Sequence, residues 1–600
     1  MPELLPSVLG KEWKLPGPTS VPSPVVLKDG TEVSEAVLRI VLGRGVVNPS
    51  TWLDAPIRAY LPKDGAFPRL AEAAGRIISA VQREERIALY GDYDVDGATS
   101  VAQMSRWISA ASGVQPRTYI PDRAAEGYGP NKGAMDKLAA EGVRLLVVQD
   151  SGTTALEVLG YAVTLGMDVV IIDHHEPRED GALPPAIVVN PKLVDTLPLG
   201  MDYLCTAGLT MLVLIECNKQ AREAGMFRPS PNTDGDEDEF SGDNRPPEPD
   251  LRRLLGLVAL GTVADVVPLV GLNRAYVRHG LAYAEDNPGL QALMEATERH
   301  EPSAYNCGFI WGPCINAGGR LGNTERGARL LSSDDEDECR RLAMELRAVN
   351  DERKLVQSSI MDQALADIER QGGAGTPDSV LVIHLPEAHQ GVIGVVAGKI
   401  KELLDRSVLV IGQGGKGSAR GVMGFNIGSE FLRAYEDGVL IKGGGHAAAA
   451  GLTIDPARIP ELRLRLSAAS QGIRREPLKV EMVAEAGSVP MHVVRSLLLL
   501  APVGMGNPNA VVLLTGGTLR NVQRIKGRHV KAQLVGEDGK KVTIMEWGGV
   551  DTSLGKAMLA GEGQRLDLLC KLKVGTYAGT DYVEASPVDM RFLGSLFHRP

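Results

Sequence analysis

Three acids at alternate positions open the chemistry of this chain: Asp92, Asp94 and Asp96, within GDYDVDG at residues 91–97. Alternate side chains on an extended backbone point to one side, so two of these carboxylates can reach one cation. The stretch lacks the distant Glu of a calcium-binding EF-hand. Asp173 precedes two adjacent imidazoles, His174 and His175, and Asp150 stands ahead of Ser-Gly-Thr-Thr. Asp265 ends the apolar stretch Leu254–Ala264, where a carboxylate is costly to bury unless it meets a cation. Singly, each has a bland reading: a turn, a structural histidine, a helix N-cap. Jointly, carboxylates and imidazole without cysteine suit Mn²⁺ or Mg²⁺ better than structural zinc. Acids holding two such ions about 3.5–4 Å apart equip a site for displacement at phosphorus.

The elements that must position these groups are legible in the apolar pattern. Ile87-Ala-Leu-Tyr-Gly-Asp92, Leu145-Leu-Val-Val-Gln-Asp150 and Val169-Val-Ile-Ile-Asp173 each end in acid, and Ala186-Ile-Val-Val-Asn190 ends in Asn. Continuous apolar runs separated by helix-length segments predict parallel strands covered on both faces. Ligands bind outside the carboxyl ends of such strands, so the acids should gather along one rim. Ser333-Asp-Asp-Glu336 resembles a capping box, followed by Leu342, Leu346, Val349, Val356 and Ile360 at helical spacing and closed by Gly372-Gly373. That predicts one helix of about ten turns. Beyond it, Ser379–Ile454 reads as Gly-rich α/β, with strand candidates Ser379–His384 and Ser407–Ile411. From about residue 478, short alternating strands (Val530, Ala532, Leu534; Val542, Ile544) joined at Glu537-Asp-Gly-Lys predict a small β-barrel. The Pro-rich first ~50 residues read as irregular.

Composition narrows the class. The chain has 600 residues, 44% hydrophobic and 23% charged, which excludes a fibrous or wholly disordered protein. No apolar run approaches the ~18 residues that cross a bilayer, so no membrane association is expected. The first residues carry no basic region leading into an apolar stretch, and six scattered cysteines form neither a disulfide framework nor a CxxC pair. A reducing, cytoplasmic setting is expected. The net charge of −11 hides two local features. Residues 231–250 hold eight acids and one Arg, or −7, and read as a solvated surface loop. Residues 515–600 hold thirteen Lys or Arg against nine acids, or +4, so a basic patch for nucleic acid can sit in an acidic whole. Arg524, Lys526, Arg528 and Lys531 surround one predicted hairpin there.

GDYDVDG (91–97), VQDSGT (148–153), DHHEP (173–177), LGTVADVVPL (260–269) and KGGGHAAAAGL (442–452) resemble the DHH phosphoesterase superfamily. IPDRAAEGYG (120–129), INAGGRLG (315–322), GVIGVVAGKI (391–400) and GMGNPNA (504–510) narrow the resemblance to its RecJ-type single-stranded-DNA exonucleases. The resemblance implies an α/β fold: a parallel-sheet DHH domain (67–332, with the acidic loop 231–250) and a DHHA1 domain (372–472). A long helix (333–371) joins them, an irregular segment (1–66) precedes them, and an OB-like β-barrel (473–600) follows.

It implies metal ligands at Asp94, Asp96, Asp150, His174 and Asp265, with Asp92 and Asp173 supporting them and His175 contacting the scissile phosphate. Substrate contacts are implied at Arg123, Asn316, Arg320, Ser418, Arg420, Gly444, Gly445 and His446. The expected reaction is two-metal (Mn²⁺ or Mg²⁺) hydrolysis of single-stranded DNA from the 5′ end to 5′-mononucleotides, in DNA repair and recombination. Expected company is single-stranded-DNA-binding protein and a RecQ-type helicase, with the chain itself a monomer. The chain departs from the family pattern at Cys314, where Arg is usual, at Gly398-Lys399, and at Gly421. Two other readings fit part of the pattern. One is a DHH phosphodiesterase of short oligoribonucleotides or cyclic dinucleotides, which generally lacks the barrel. The other is a non-catalytic scaffold, which would not need an intact acid set.

Overall fold

The computed structural model describes residues 6–17, 21, 24–63, 65–122, 126–194, 197, 200–228, 245–321, 324–373, 380–471 and 476–594, with backbone alone at 320 and 321. The chain divides into two compact units. One comprises Ala55–Arg353 with Pro502–Pro508; the other comprises Met1–Asp54, Lys354–Ala501 and Asn509–Pro600.

The first unit is built on five parallel strands: β1 (Ile87–Gly91), β2 (Arg117–Tyr119), β3 (Leu145–Gln149), β4 (Asp168–Ile172) and β5 (Ile187–Val189). Their order is β2-β1-β3-β4-β5. Ile87, Leu89, Leu145, Val147, Val170 and Ile172 face one core, while Ala88, Tyr90, Leu146, Val148, Val169 and Ile171 face another. Alternate side chains are thus buried on opposite faces, which is why these strands show no polar alternation. The order reverses at β1/β3, the switch point where doubly wound sheets open their ligand crevice. Asp92, Asp150 and Asp173 follow β1, β3 and β4, so the rim expected from sequence exists. Around it stand the helices α1 (Val95–Ser112), α2 (Thr206–Glu223), α3 (Leu255–Ala264) and α4 (Gly312–Leu321).

The long helix α5 runs Glu336–Arg370, 35 residues or about 50 Å. Its cap is a correction to the sequence reading. Asp335, not Ser333, accepts the Asp337 and Glu338 amides (2.9 and 3.0 Å), while the Ser333 hydroxyl donates to Glu338 (2.6 Å). The carboxylate one residue before the helix reaches its free N–H groups better than a hydroxyl three residues away. The helix ends at Gly372 and Gly373, both at positive φ, with the Gly373 amide returning to Ile368 O (3.0 Å).

The second unit holds a five-stranded sheet in the order β9-β10-β8-β7-β6, made from β6 (Leu381–His384), β7 (Val408–Ile411), β8 (Lys416–Arg420), β9 (Lys442–Gly445) and β10 (Ala449–Thr453). Only β6 and β7 pair in parallel. The barrel follows: β11 (Met482–Glu485), β12 (Val512–Ile525), β13 (His529–Val535), β14 (Lys541–Glu546), β15 (Arg565–Tyr577) and β16 (Thr580–Phe592). Val530, Ala532, Leu534, Val542 and Ile544 all point into its core, as their alternation requires. Three strands are longer than expected, at 14, 13 and 13 residues. Register shifts at Arg520/Gln523, Leu514/Gly517 and Leu569/Cys570 bend them, so β12 pairs with both β13 and β15 and closes the barrel.

The first residues are not irregular either. Ser34 caps the helix Glu35–Gly43, whose Val37, Leu38, Ile40 and Val41 are buried with Leu500 and Ala510. The prolines that suggested irregular chain flank this helix rather than interrupt it. Trp13–Lys14 pairs in parallel with Leu478–Lys479. All six cysteines are free and buried, and no helix among the described residues is long and apolar enough to cross a membrane.

Candidate metal centre

Each rim acid is held by backbone geometry its neighbours dictate. Asp94 caps α1, accepting the Gly97 amide (3.1 Å), and the Asn316 side-chain oxygen accepts the Val95 amide (3.1 Å). Gly97 is required there, because a Cβ would lie 2.5 Å from Asp92 O. Asp96 is buried in the first turn of α1, and the N-terminus of α2 meets its carboxylate: Thr206 N at 2.7 Å and Ala207 N at 2.8 Å. The α2 N-terminus thus gives two of its free N–H groups to one carboxylate. Asp150 sits at φ 62, a left-handed turn that Asp tolerates, and accepts the Thr206 hydroxyl at 3.1 Å. Asp265 terminates α3 and is followed by Val266 at φ 60, strained for a β-branched residue.

Asp173 plays a different part. One of its oxygens accepts from Thr153 N (3.0 Å) and Thr153 Oγ1 (2.6 Å); the other accepts the His174 and His175 amides (2.8 and 3.2 Å) and lies 2.7 Å from His175 Nδ1. Burial opposes its charge, but the His175 and Thr153 hydrogen bonds outweigh it and hold the carboxyl well below the usual range. Asn190 donates to Thr153 Oγ1 and to His175 O, both at 2.9 Å. Asp173 therefore orients the histidine pair.

The remaining acids crowd one imidazole. His174 Nε2 lies 3.4 Å from Asp150, 3.7 Å from Asp265 and 3.9 Å from Asp96. Three sets bring ligand atoms within 4.8 Å of one another: Asp92, Asp94 and Asp150; Asp150, His174 and His175; Asp96, His174 and Asp265. Burial and then the neighbouring carboxylates push Asp150 and Asp265 well above the usual carboxylate range, and Asp94 upward as well. Burial pulls His174 down. Asp265 Oδ2 is buried and accepts no hydrogen bond. A buried pile of acids around one imidazole must be neutralised, by protons or by bound cations. Hard oxygen donors with imidazole fit Mn²⁺ or Mg²⁺.

The structure gathers Asp92, Asp94, Asp96, Asp150, Asp173, His174, His175 and Asp265 at one rim, with Asn316 beside them. Ser418, Arg420, Gly444, Gly445 and His446 belong to the second unit. There Ser418, Gly451 and Gly444 align across β8, β10 and β9, and Arg420 reaches Ser418 Oγ (3.2 Å). Arg123 lies outside the described residues, and so does the side chain of Arg320. Gly421 departs from the family pattern for a steric reason, since a Cβ would stand 2.8 Å from Ala447 O. Cys314 is buried and accepts from Asn350 Nδ2 at 3.2 Å.

Sequence reading missed Tyr128, whose hydroxyl lies 3.2 Å from His175 Nε2 and 3.4 Å from Asp150 O. It also missed Thr153, Thr206 and the side chain of Asn190. A signal existed for Thr206, a capping residue type opening an apolar helix. None existed for Tyr128 beyond the flanking glycines of a tight turn.

The acidic loop needs a partial correction. Residues 231–244 lie outside the described residues, but 245–250 are packed. Pro246 O accepts the Arg228 amide (3.0 Å), and Asn218 Nδ2 donates to Pro249 O (2.9 Å) and Glu248 (3.1 Å). Pro-rich chain can pack when its carbonyls find donors, a possibility composition conceals. On the barrel, Arg524, Lys526, Arg528 and Lys531 are all exposed around the β12–β13 turn.

Comparison with known proteins places these parts. Residues 86–231 match the DHH family N-terminal domain, 378–471 the DHHA1 domain and 480–589 the RecJ OB domain. The single-stranded-DNA-specific exonuclease RecJ of Salmonella typhimurium is 32% identical over 85% of this chain and 86% of its own length. That of Bacillus subtilis is 32% identical over 78% of this chain, which spans 57% of that longer relative. Crystal structures of RecJ from Thermus thermophilus are similar. The Mn²⁺ complex matches with a TM-score of 0.75 at 29% identity, covering 93% of this chain and 76% of that one. The Mg²⁺ complex matches with a TM-score of 0.70 at 28% identity, covering 93% and 75%.

Proposed function

The chain belongs to the RecJ family of single-stranded-DNA-specific exonucleases, and on that premise we propose that it hydrolyses single-stranded DNA from the 5′ end to 5′-mononucleotides with two divalent cations, Mn²⁺ or Mg²⁺. The observation that carries this reading is the crowd of buried carboxylates around His174, with Asp265 Oδ2 lacking any hydrogen-bond donor. Asp94, Asp96, Asp150, His174 and Asp265 hold the ions. When bound, these supply an activated water and offset charge on the phosphoryl and leaving oxygens. Thr206 and the α2 N-terminus fix Asp150 and Asp96 beforehand, so little reorganisation is needed. Asp173 fixes His175 through Nδ1, leaving Nε2 to meet the scissile phosphate, with Tyr128 beside it. Asp92 supports the Asp94 and Asp150 side of the site.

Ser418, Arg420, Gly444, Gly445 and His446, with Asn316, Arg123 and Arg320, hold the strand: glycines admit phosphate to backbone N–H groups, and Arg offers a forked donor. The domain division that goes with this reading is 67–332, 333–371, 372–472 and 473–600, with 1–66 preceding. The reading extends to a cytoplasmic monomer in DNA repair and recombination, meeting single-stranded-DNA-binding protein and a RecQ-type helicase. The test is a single-stranded oligonucleotide labelled at its 5′ or 3′ end, run with Mn²⁺ or Mg²⁺ beside duplex, RNA and a cyclic dinucleotide. Early release of labelled mononucleotide from the 5′ label alone is the expected result. Preferred cleavage of the cyclic dinucleotide contradicts it.

A further inference from the structure

Seven aromatic side chains among the described residues are exposed, and two of them stack on each other. Tyr305 and Phe309 are 64% and 68% exposed, with ring centroids 5.0 Å apart and planes 28° from parallel. Among the described residues every other phenylalanine (Phe67, Phe227, Phe425, Phe431, Phe592) is buried. Phe309 is therefore exposed against the rule of its own residue type here. The pair is rigidly mounted. Tyr305 stands on the turn Ala304–Asn306, capped by Ser303, and Asn306 Nδ2 donates to Glu301 O at 2.8 Å. Phe309 stands on the π-helical turn Cys307–Trp311, whose Cys307 and Trp311 are buried beneath it. Such wide turns recur at functional sites.

The mounting leads straight to the metal centre. A Cβ on Gly308 would lie 3.4 Å from Val263, two residues before Asp265. One on Gly312 would lie 3.3 Å from Ala264 and 3.7 Å from Val95, which sits between Asp94 and Asp96. The turn carrying Phe309 is thus packed against side chains of the two segments that carry Asp94, Asp96 and Asp265. Val266 and Met505, 62% and 56% exposed, are further exposed apolar side chains on and beside the segment that carries Asp265, where Leu269 N donates to Met505 O at 2.7 Å.

We infer that Tyr305 and Phe309 form a stacking platform for unpaired nucleobases of the strand being hydrolysed, an inference that rests on the exonuclease reading above. Bases of a single strand offer open π-faces, whereas those of a duplex are covered by their neighbours. A platform braced to the metal centre would reward single strands and give nothing to paired ones. Base–aromatic stacking is sequence-tolerant and contributes about tenfold in affinity per base.

The test uses the full chain, unaltered and as Tyr305→Ala, Phe309→Ala and Phe309→Trp, with two readouts. In Mn²⁺, steady-state hydrolysis of an ordinary single strand is compared with a strand of the same length bearing an abasic tract. In EDTA, a strand carrying 2-aminopurine reports stacking by fluorescence quenching. The alanine variants should raise KM on the ordinary strand about tenfold, with kcat within about twofold. They should match the unaltered chain on the abasic strand and lose the quench, which Phe309→Trp restores. An equal KM rise on the abasic strand, or an unchanged quench, overturns the platform. So does a change of oligomeric state on substitution, which would assign the pair to self-association. Quenching without hydrolysis of either strand by the unaltered chain overturns the exonuclease reading and leaves the platform standing.

Discussion

The acid rim of the first unit and the basic hairpin of the barrel hold charge in opposite ways. At the rim, Asp96, Asp150 and Asp173 are buried and accept hydrogen bonds from named N–H and O–H donors; burial and neighbouring carboxylates push Asp150 up, while Asp173, against its own burial, is held down by His175 and Thr153. On the hairpin, Arg524, Lys526, Arg528 and Lys531 stand in solvent. Buried charge must have a physical reason, because leaving it uncompensated costs several kcal/mol. Exposed charge needs none, and it acts on a partner through a salt-screened field. Changes at the rim should therefore be large and local, and changes on the hairpin modest and dependent on ionic strength.

The largest expected effect is on the shared acids. Asp150→Ala or Asp265→Ala should lower exonuclease turnover by about a thousandfold or more, with circular dichroism unchanged. Near-normal turnover at ordinary metal concentration would remove these residues from the centre.

Next comes the histidine support. Asp173→Asn should slow turnover about 10–100-fold by loosening His175, as outer partners of catalytic groups do. His175→Ala should likewise lose rate yet keep metal. An equal loss of metal binding in the His175 variant would move that residue into the ligand set, where its position with Asp150 and His174 would allow it.

A third effect follows from the raised carboxyls. Asp150 and Asp265 hold protons more tightly folded than unfolded, so the metal-free fold takes up protons as pH falls from 7 toward the unfolded carboxylate value of about 3.9. Its melting temperature should rise over that window. Asp173 works oppositely, but its contribution is lost only once pH falls below about 3.9, outside the window. Mn²⁺ should raise the melting temperature more at pH 7 than at pH 5, because it competes with those protons. A metal-free melting temperature that falls steadily from pH 7 to 5 would contradict the crowding.

The hairpin effect is smaller. Replacing Arg524, Lys526, Arg528 and Lys531 by Ala should weaken single-strand binding and reduce its salt slope by up to about 3, at ~0.7 per lost phosphate contact. Saturated cleavage of a short strand should change little. An affinity loss independent of salt would mean packing, not charge.

The smallest concerns the acidic loop. A Gly-Ser replacement of residues 231–244 should leave melting and rate unchanged. Extending it through 250 should cost about 1–3 kcal/mol, since it removes the Glu248 carboxylate that Asn218 and Arg222 meet and the Asp250 cap of the Arg252 amide. Equal stability of the two replacements would show that 245–250 contribute nothing.

The same contrast explains what the sequence disclosed. Apolar runs ending in acid located β1, β3 and β4 and their rim, because strands buried on both faces read as short continuous apolar runs, five residues long here against ten in the equally apolar helix α3. The Val530-x-Ala532-x-Leu534 alternation located the barrel for the converse reason, one wet face and one dry. Tyr128 escaped because its role depends on a turn bringing it to His175 across 47 positions, which no local pattern encodes. The helix Glu35–Gly43 escaped because its apolar face is completed by Leu500 and Ala510, far along the chain. Asp335 was overlooked as the α5 cap because four capping-type residues, Ser332 to Asp335, stand in a row there and only backbone geometry chooses among them.

A metal titration of the unaltered chain beside Asp150→Ala, followed by calorimetry and by release of end label from single-stranded DNA in the same samples, tests the central claim most directly. Two Mn²⁺ ions per unaltered chain are expected, with hydrolysis rising as they bind, and fewer ions with no hydrolysis in the variant. Full hydrolysis by the unaltered chain in EDTA, or two ions retained by an active Asp150→Ala chain, would contradict the account.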